Sequence, residues 1–462
     1  MNNPISFDHR LLGNFCWPLL LSMVGLCACG LLNLYSLSSY ADFMGEWSWF
    51  SRQSLYFGVA LGGLIVALFF DYQLLKRIAW PLYFLSVVLL LAVFFKGSSA
   101  NEATRWLDLG FVRFQPSEAA KIAVILALAA WLSDRDLANG LDFKDLPIPA
   151  LIILVPFALI HKQPDLGTAL HLLGAGASIF LVFKIRPRLL LSILLAVGLG
   201  AGLIVSLAAS GSWHVLQERG LIKPHQINRI NTFLNPEQDP SNKGFQIIQS
   251  RNAVGGGQLF GRGFMAGTQH RNRFLPEAET DFAFAALAEE WGFVGSVAVL
   301  SLFLCLLSAG LMLARRSKDR FGCLIILGLT SMLFWQVVIN VGMVVGLLPV
   351  VGIPLPFISY GGSSLVVCVG AVALVLNVGM RRSRFQDEPI QENPFVWSLP
   401  AKDDDRLVVT VPVRRLAIDT PFNPELHPRH RLPHTRPWAK YLRKARCVSD
   451  WQSPDAVELM KD

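Results

Sequence analysis

Apolar residues along this chain come in blocks and not in stripes. Ser54 to Phe70 (SLYFGVALGGLIVALFF) and Leu189 to Ala209 (LLLSILLAVGLGAGLIVSLAA) are two of them. Each approaches or exceeds the length that crosses a hydrocarbon layer about 30 Å thick. A core helix of a soluble protein would keep a polar face, and few of these blocks have one. The pattern predicts ten spans, at 12–37, 54–70, 78–95, 117–132, 148–160, 168–183, 189–209, 292–314, 321–347 and 363–379. The fold class is therefore all-α: a polytopic membrane protein with about ten transmembrane helices. The first block is longer than a signal-peptide core and has no small-residue cleavage site, so it counts as the first span. GxxxG spacings at Gly58/Gly62 and Gly198/Gly202 predict close helix packing.

Short connections alternate in basic content, which orients the bundle. One side carries Arg10, Lys76, Arg77, Arg135, Lys144, Lys184, Arg186, Arg188, Arg315, Arg316, Lys318, Arg320, Arg381, Arg382 and Arg384. The short loops of the other side carry only Arg52, Lys96, Arg105, Arg113 and Lys162. Both the N- and the C-terminus are predicted to be cytoplasmic. Two long segments interrupt the pattern. Residues 210–291 form a large extracytoplasmic loop between spans seven and eight, with apolar stretches such as Phe245 to Ile248 that predict partial order. A loop of that length is usually functional or disordered. The tail 381–462 holds ten of the 26 prolines, fifteen basic and twelve acidic residues, a composition that favours flexibility or partner binding. The chain thus divides into a membrane domain, 1–380, and a cytoplasmic Pro-rich tail, 381–462.

Composition agrees with this division. Of 462 residues, 53% are apolar and 16% charged, against about 45–50% and about 25% in soluble domains. The net charge of +8 is a topology signal, because the basic residues cluster beside span ends; it does not point to nucleic acid. Six of the seven cysteines lie in apolar blocks, where Cys behaves as a small hydrophobe. No metal-ligand spacing of Cys and His and no ATP motif is present.

Ionisable groups beside or within spans are costly, so each one is a functional candidate. In Arg105 to Lys121 (RWLDLGFVRFQPSEAAK), Pro116 fits a first helical turn. Glu118 and Lys121 then share a helix face, either as a structural ion pair or with Lys121 drawing a phosphate that Glu118 positions. In QPDLGT, Asp165 is either a helix cap or a site residue. In the run from Arg251 to Phe284, the glycines permit positive φ and close backbone approach, without the lysine of a nucleotide loop. Arg251, Arg262, Arg271 and Arg273 are donors suited to a diphosphate. Thr280 and Asp281 stand at the next span's entry, as an N-cap or with Asp281 as a general base. The run from Asn340 to Ser364, with three prolines, several glycines and no charge, predicts a broken segment walling a cavity.

These motifs together resemble the SEDS family (shape, elongation, division and sporulation). The carrying residues are RW...G..RFQPSE..K at 105–121, QPDLGT at 163–168, the glycine-rich run into GTQ and FLPE.ETDFAFA..AEE.G at 255–292, and N.GM..GLLPV.GIPLPF.SYGGSS at 340–364. GIPLPF and Met343 are more similar to the family's elongation branch than to its division branch. The resemblance covers nearly all of residues 10–382. It implies a peptidoglycan glycosyltransferase of the cytoplasmic (inner) membrane that polymerises lipid II at the outer face. It also implies a class B penicillin-binding protein as transpeptidase partner, with other elongation-complex proteins as candidates. By motif, Asp281 matches the family's catalytic aspartate, Glu118 and Lys121 its paired cavity residues, and Trp106 an important tryptophan. The family usually has His-Thr-Asp-Phe, and here Glu279 stands in the His place.

The implied chemistry needs a base for the attacking sugar hydroxyl and positive charge for the leaving diphosphate. Asp281 is the candidate base. Lys121, Arg105, Arg113 and Arg251 are candidates for the diphosphate, with Trp106, Gln115, Glu118, Asp165 and Thr280 completing the substrate site. No resident cofactor is called for, and a divalent cation, Mg2+ or Mn2+, is the candidate ion. Three other readings stay open at this point: a lipid II flippase, a division-type paralogue and a non-enzymatic scaffold for a penicillin-binding protein.

Overall fold

The computed structural model describes residues 13–39, 48–96, 98–100, 103–108, 113–135, 140–183, 186–206 in part, 231–238 without 234, and 243–381 without 273 and 318. The tail beyond Arg381, the loop 207–230 and most of the predicted span 189–209 lie outside them. Seven helices among the described residues are long and apolar enough to cross a membrane. They are α1 (Trp17–Ser39), α2 (Trp49–Phe69), α3 (Gln73–Lys96), α4 (Pro116–Ser133), α8 (Ala283–Arg316), α9 (Arg320–Val344) and α10 (Gly362–Met380). The predicted fifth and sixth spans are the shorter apolar helices α5 (Pro147–Lys162) and α6 (Leu166–Ser178). A more polar helix, α7 (Lys243–Gly256), belongs to the predicted outer loop.

Helices α4, α9 and α10 are buried along most of their length, while α2 and α3 are the least covered of the long helices. Burial on all sides explains why α4 and α9 lack a polar stripe. Ser22 and Ser178, inside apolar helices, donate to the carbonyls of Pro18 and Gly174 in the preceding turn, which satisfies these hydroxyls within the helix. The last carbonyls of α2 receive donors from the end of α10: Asn377 reaches Phe70 at 2.7 Å and Arg381 reaches Leu68 at 2.9 Å. Those orphan groups would otherwise have no partner.

Three expectations are corrected here. The fold is not wholly α: residues 98–114 form a small antiparallel sheet, β1 (Ser98–Ala100), β2 (Ala103–Asp108) and β3 (Arg113–Phe114), in that order. Its Thr, Trp and Phe residues suit strands, but the strands are too short to stand out from loop. The GxxxG pairs do not pack: a Cβ at Gly58, Gly62, Gly198 or Gly202 would meet nothing within 4 Å. For Gly58 and Gly62 the reason is that this face of α2 turns away from the bundle.

The third correction concerns α8, which begins nine residues before the predicted span and breaks at Gly292 (φ 69°, ψ −164°). The glycine-rich run 255–263 docks at this break. Arg262 N and Gly263 N donate to the carbonyls of Glu289 and Glu290, while Phe293 N and Val294 N donate to those of Gln258 and Leu259. A Cβ on Gly261 (φ +82°) would stand 2.0 Å from the Glu290 carbonyl oxygen. The glycines therefore serve backbone-to-backbone approach. Glu289 accepts from Thr268 N and Oγ1 at 2.8 Å each, and Ser36 Oγ donates to Glu290. The two buried glutamates thereby tie the 255–272 segment and α1 to α8.

Candidate active site

Four helices begin at one cavity of about 450 Å³. Gln115, Glu118 and Lys121 reach it from α4, Asp165, Thr168 and His171 from α6, Thr280 and Asp281 from the entry to α8, and Gly361 and Ser364 from the start of α10. Trp106 of β2, Gln246 of α7, Glu277 and the run Val350–Pro354 complete the wall with Tyr360. Helix starts present unpaired N–H groups and the positive end of the helix dipole, so this convergence favours an anion at the mouth.

Each wall is held by a specific bond. Pro116 opens α4, and one turn in, Lys121 Nζ donates to Glu118 Oε1 at 2.8 Å, with side chains only 1% and 5% exposed. Asp165 is the N-cap of α6: Oδ1 accepts from Thr168 N at 3.2 Å and Oδ2 from Thr168 Oγ1 at 2.9 Å. Gln115 Nε2 reaches the same Oδ2 at 3.5 Å. Capping and a place in the cavity are thus compatible.

Neither Thr280 nor Asp281 caps α8, whose N-cap is Phe282. Thr280 Oγ1 donates instead to Glu277 Oε2 at 3.0 Å. Asp281 is placed through its main chain, because Asn340 Nδ2 donates to the Asp281 carbonyl at 2.9 Å and to that of Ile353 at 2.7 Å. Its carboxylate faces Gly352 (φ +73°), where a Cβ would come within 3.1 Å of Oδ2. The helix does break after Val344, and the non-helical run to Gly361 forms the cavity wall that the prolines predict. Side-chain amides satisfy its backbone: Gln336 Nε2 donates to Pro354 O, Gln53 Nε2 to Ser359 O, and Gly361 N to Gln53 Oε1. Irregular backbone at membrane depth requires such partners.

Among the described residues, the expected arginines Arg251 and Arg113 are not in the wall. Arg251 donates to Gly346 O at 3.0 Å and braces the start of the broken run. Arg113 is exposed on β3, and the Arg105 side chain lies outside the described residues, as does Arg273. Arg262 stands 3.5 Å from Glu289. The charged wall residues are Lys121 against Glu118, Asp165, Glu277 and Asp281. Among the described residues no three His, Cys, Asp or Glu side chains converge to hold a metal ion. Motif reading passed over Gln53, Thr168, His171, Gln246, Glu277, Gln336, Asn340, Tyr360 and Ser364. Thr168, Glu277, Asn340, Tyr360 and Ser364 stand inside the quoted motifs; for His171 the one available signal was an imidazole in an otherwise apolar run.

Glu279, in the position the SEDS motif usually gives to His, bonds through its carbonyl to Tyr360 N at 2.7 Å. Burial, with Glu277 nearby, pushes its carboxyl above the ordinary range. A raised native pKa means that the folded state holds the proton more tightly, so stability is lost as pH rises through the unfolded and then the native value. Glu279→Gln should therefore raise Tm at pH 7.5 by about 1–2 °C, and the gain should vanish below about pH 4, where both forms are neutral. Thermal melts in detergent at the two pH values check this.

Comparison with known proteins agrees with the geometry. Residues 18–384 match the Cell cycle protein family FtsW/RodA/SpoVE. Peptidoglycan glycosyltransferase MrdB of Escherichia coli K12 is 42% identical over 301 residues, covering 65% of this chain and 77% of that protein. Stage V sporulation protein E of Bacillus subtilis is 38% identical over 368 residues, covering 78% and 95%. A chain solved in a study of the coordination of polymerization and crosslinking by a peptidoglycan synthase complex superposes with TM-score 0.65 at 34% identity, covering 81% of this chain and 99% of that one. The rod shape determining protein RodA of Thermus thermophilus superposes with TM-score 0.57 at 30% identity, covering 80% and 97%. Fold and site define a multi-pass membrane protein built around a polar cavity. The chain belongs to the FtsW/RodA/SpoVE family.

Proposed function

We infer that the chain is a peptidoglycan glycosyltransferase that polymerises lipid II at the outer face of the cytoplasmic (inner) membrane during cell elongation. The observation that carries this reading is the meeting of the Asp281 carboxylate and the buried Glu118–Lys121 pair in one cavity under four helix starts. Asp281 takes the proton of an acceptor GlcNAc 4-hydroxyl. The freed oxygen attacks the MurNAc anomeric carbon of the donor, with inversion, and the bond to undecaprenyl diphosphate breaks. A cavity open among membrane helices lets both lipid tails stay in the bilayer.

Positive potential for the leaving group comes from the helix starts and Lys121. A divalent cation would be held by one of the wall carboxylates, Glu118, Asp165, Glu277 or Asp281, and would supply positive charge for the leaving group. The alternation of basic loops supports ten spans with both termini cytoplasmic, a membrane domain 1–380 and a cytoplasmic tail 381–462. A class B penicillin-binding protein is the proposed partner, in line with the synthase complex of the structural neighbour.

Purified protein given labelled lipid II, with and without that partner, tests the reading. Polymeric glycan is the expected product. Transfer of labelled lipid II across proteoliposomes without glycan would favour the flippase, and neither product would favour a scaffold.

A further inference from the structure

His171 is fully buried on α6 and lines the cavity, yet nothing in the reaction scheme uses it. Its Nε2 lies 2.7 Å from the Met332 carbonyl oxygen. A carbonyl only accepts, so Nε2 carries the proton. In the neutral ring Nδ1 is then a bare acceptor, and it is buried without a partner among the described residues. Glu118 supplies a second open acceptor in the same wall, because Oε1 takes the Lys121 ammonium while Oε2 has no partner. Both line the cavity, Glu118 from the first turn of α4 and His171 from one turn further along, five residues past the start of α6. Buried acceptors left unpaired are costly, which makes this floor a built receptor for a group that donates.

We propose that His171 Nδ1 and Glu118 Oε2 form an acceptor floor that takes a hydroxyl or amide N–H of the saccharide. The cavity then presents two kinds of surface, one of donors, made by the helix starts and the Lys121 ammonium, and one of these two open acceptors. A diphosphate, which has only acceptor oxygens, is suited to the donors and repelled by the open acceptors. The sugar of a lipid-linked substrate, rich in donors, is suited to the floor. This rests on the glycosyltransferase reading for the nature of the ligand and adds the polarity of its orientation.

Two substitutions separate the ring nitrogens, since the amide of Gln reaches the place of Nε2 and that of Asn the place of Nδ1. His171→Gln keeps the bond to Met332 O and loses the acceptor. The Kd for lipid II should rise about five- to tenfold, the size of one buried hydrogen bond, with Tm close to wild type. His171→Asn keeps the acceptor and loses the Met332 bond, so Tm should fall while Kd stays near wild type. Kd for undecaprenyl diphosphate should not change in either variant. An unchanged lipid II Kd in His171→Gln, an equal loss in both variants, or a parallel loss of undecaprenyl diphosphate binding would overturn the proposal. Kd is read by binding, so wild type that binds lipid II without making glycan would overturn the transferase reading and leave the floor standing or falling on its own result.

Discussion

Asp281→Asn should abolish glycan synthesis while leaving a folded protein that still binds lipid II. An amide cannot take the proton from the acceptor hydroxyl, and loss of a general base costs about 10²- to 10⁴-fold in rate. The fold should survive, because the amide is isosteric with the carboxylate and the bond from Asn340 to the main-chain carbonyl is kept. Asp281→Glu should not rescue. Gly352 already stands so close that a Cβ there would lie 3.1 Å from Oδ2, and an added methylene has to displace the wall or swing the carboxylate off the hydroxyl. Gly352→Ala, strained at φ +73° and crowding the same oxygen, should lower kcat as well. Single-turnover polymerisation of labelled lipid II, alongside binding and thermal melts, checks all three. Wild-type rates in Asp281→Asn would remove the base assignment.

Spans long enough to cross lipid were legible because membrane burial leaves a coarse mark, a block of apolar residues with ionisable groups confined to its ends. Helix starts were legible where one residue fixes them locally, as with Pro116 at the head of α4 and Asp165 capping α6. The ion pair of Glu118 and Lys121 followed from helical spacing alone. What could not be read was which chain segments meet. The glycines at 257 and 261 have the same composition whether they cradle a ligand or another backbone, and only the fold puts Ala288 and Glu290 against them. Arg251 carried the charge expected for a diphosphate, yet its partner is a carbonyl 95 residues away. Asn340 and Gln336 are neutral and sit in apolar runs, so nothing local marks them as the groups that satisfy the broken segment. His171 was hidden for the same reason: its open nitrogen acquires meaning only when α4 and α6 are brought side by side.

The second large effect should come from the Glu118–Lys121 pair, and it decides between the two roles the spacing left open. With both side chains nearly inaccessible, Lys121→Met leaves a buried carboxylate without its counter-ion, a change that costs about 3–5 kcal/mol and lowers Tm by on the order of 10 °C. Glu118→Gln leaves the ammonium alone and should cost a similar amount. Removing both charges at once avoids an uncompensated ion, so Glu118→Gln with Lys121→Met should recover most of the lost stability, as exchanges of buried pairs for uncharged groups generally do. Activity should not recover with it. Lys121 is the cationic side chain among the described wall residues of a cavity that also presents four carboxylates, and the uncharged double variant would meet a departing diphosphate with helix starts alone. Stability from melts and turnover from lipid II polymerisation therefore separate in this one variant. If the double variant turns over at the wild-type rate, the pair is a structural ion pair and the chemistry lies with Asp281 and the helix ends; if it is stable and inactive, the same two side chains hold the bundle together and handle the substrate.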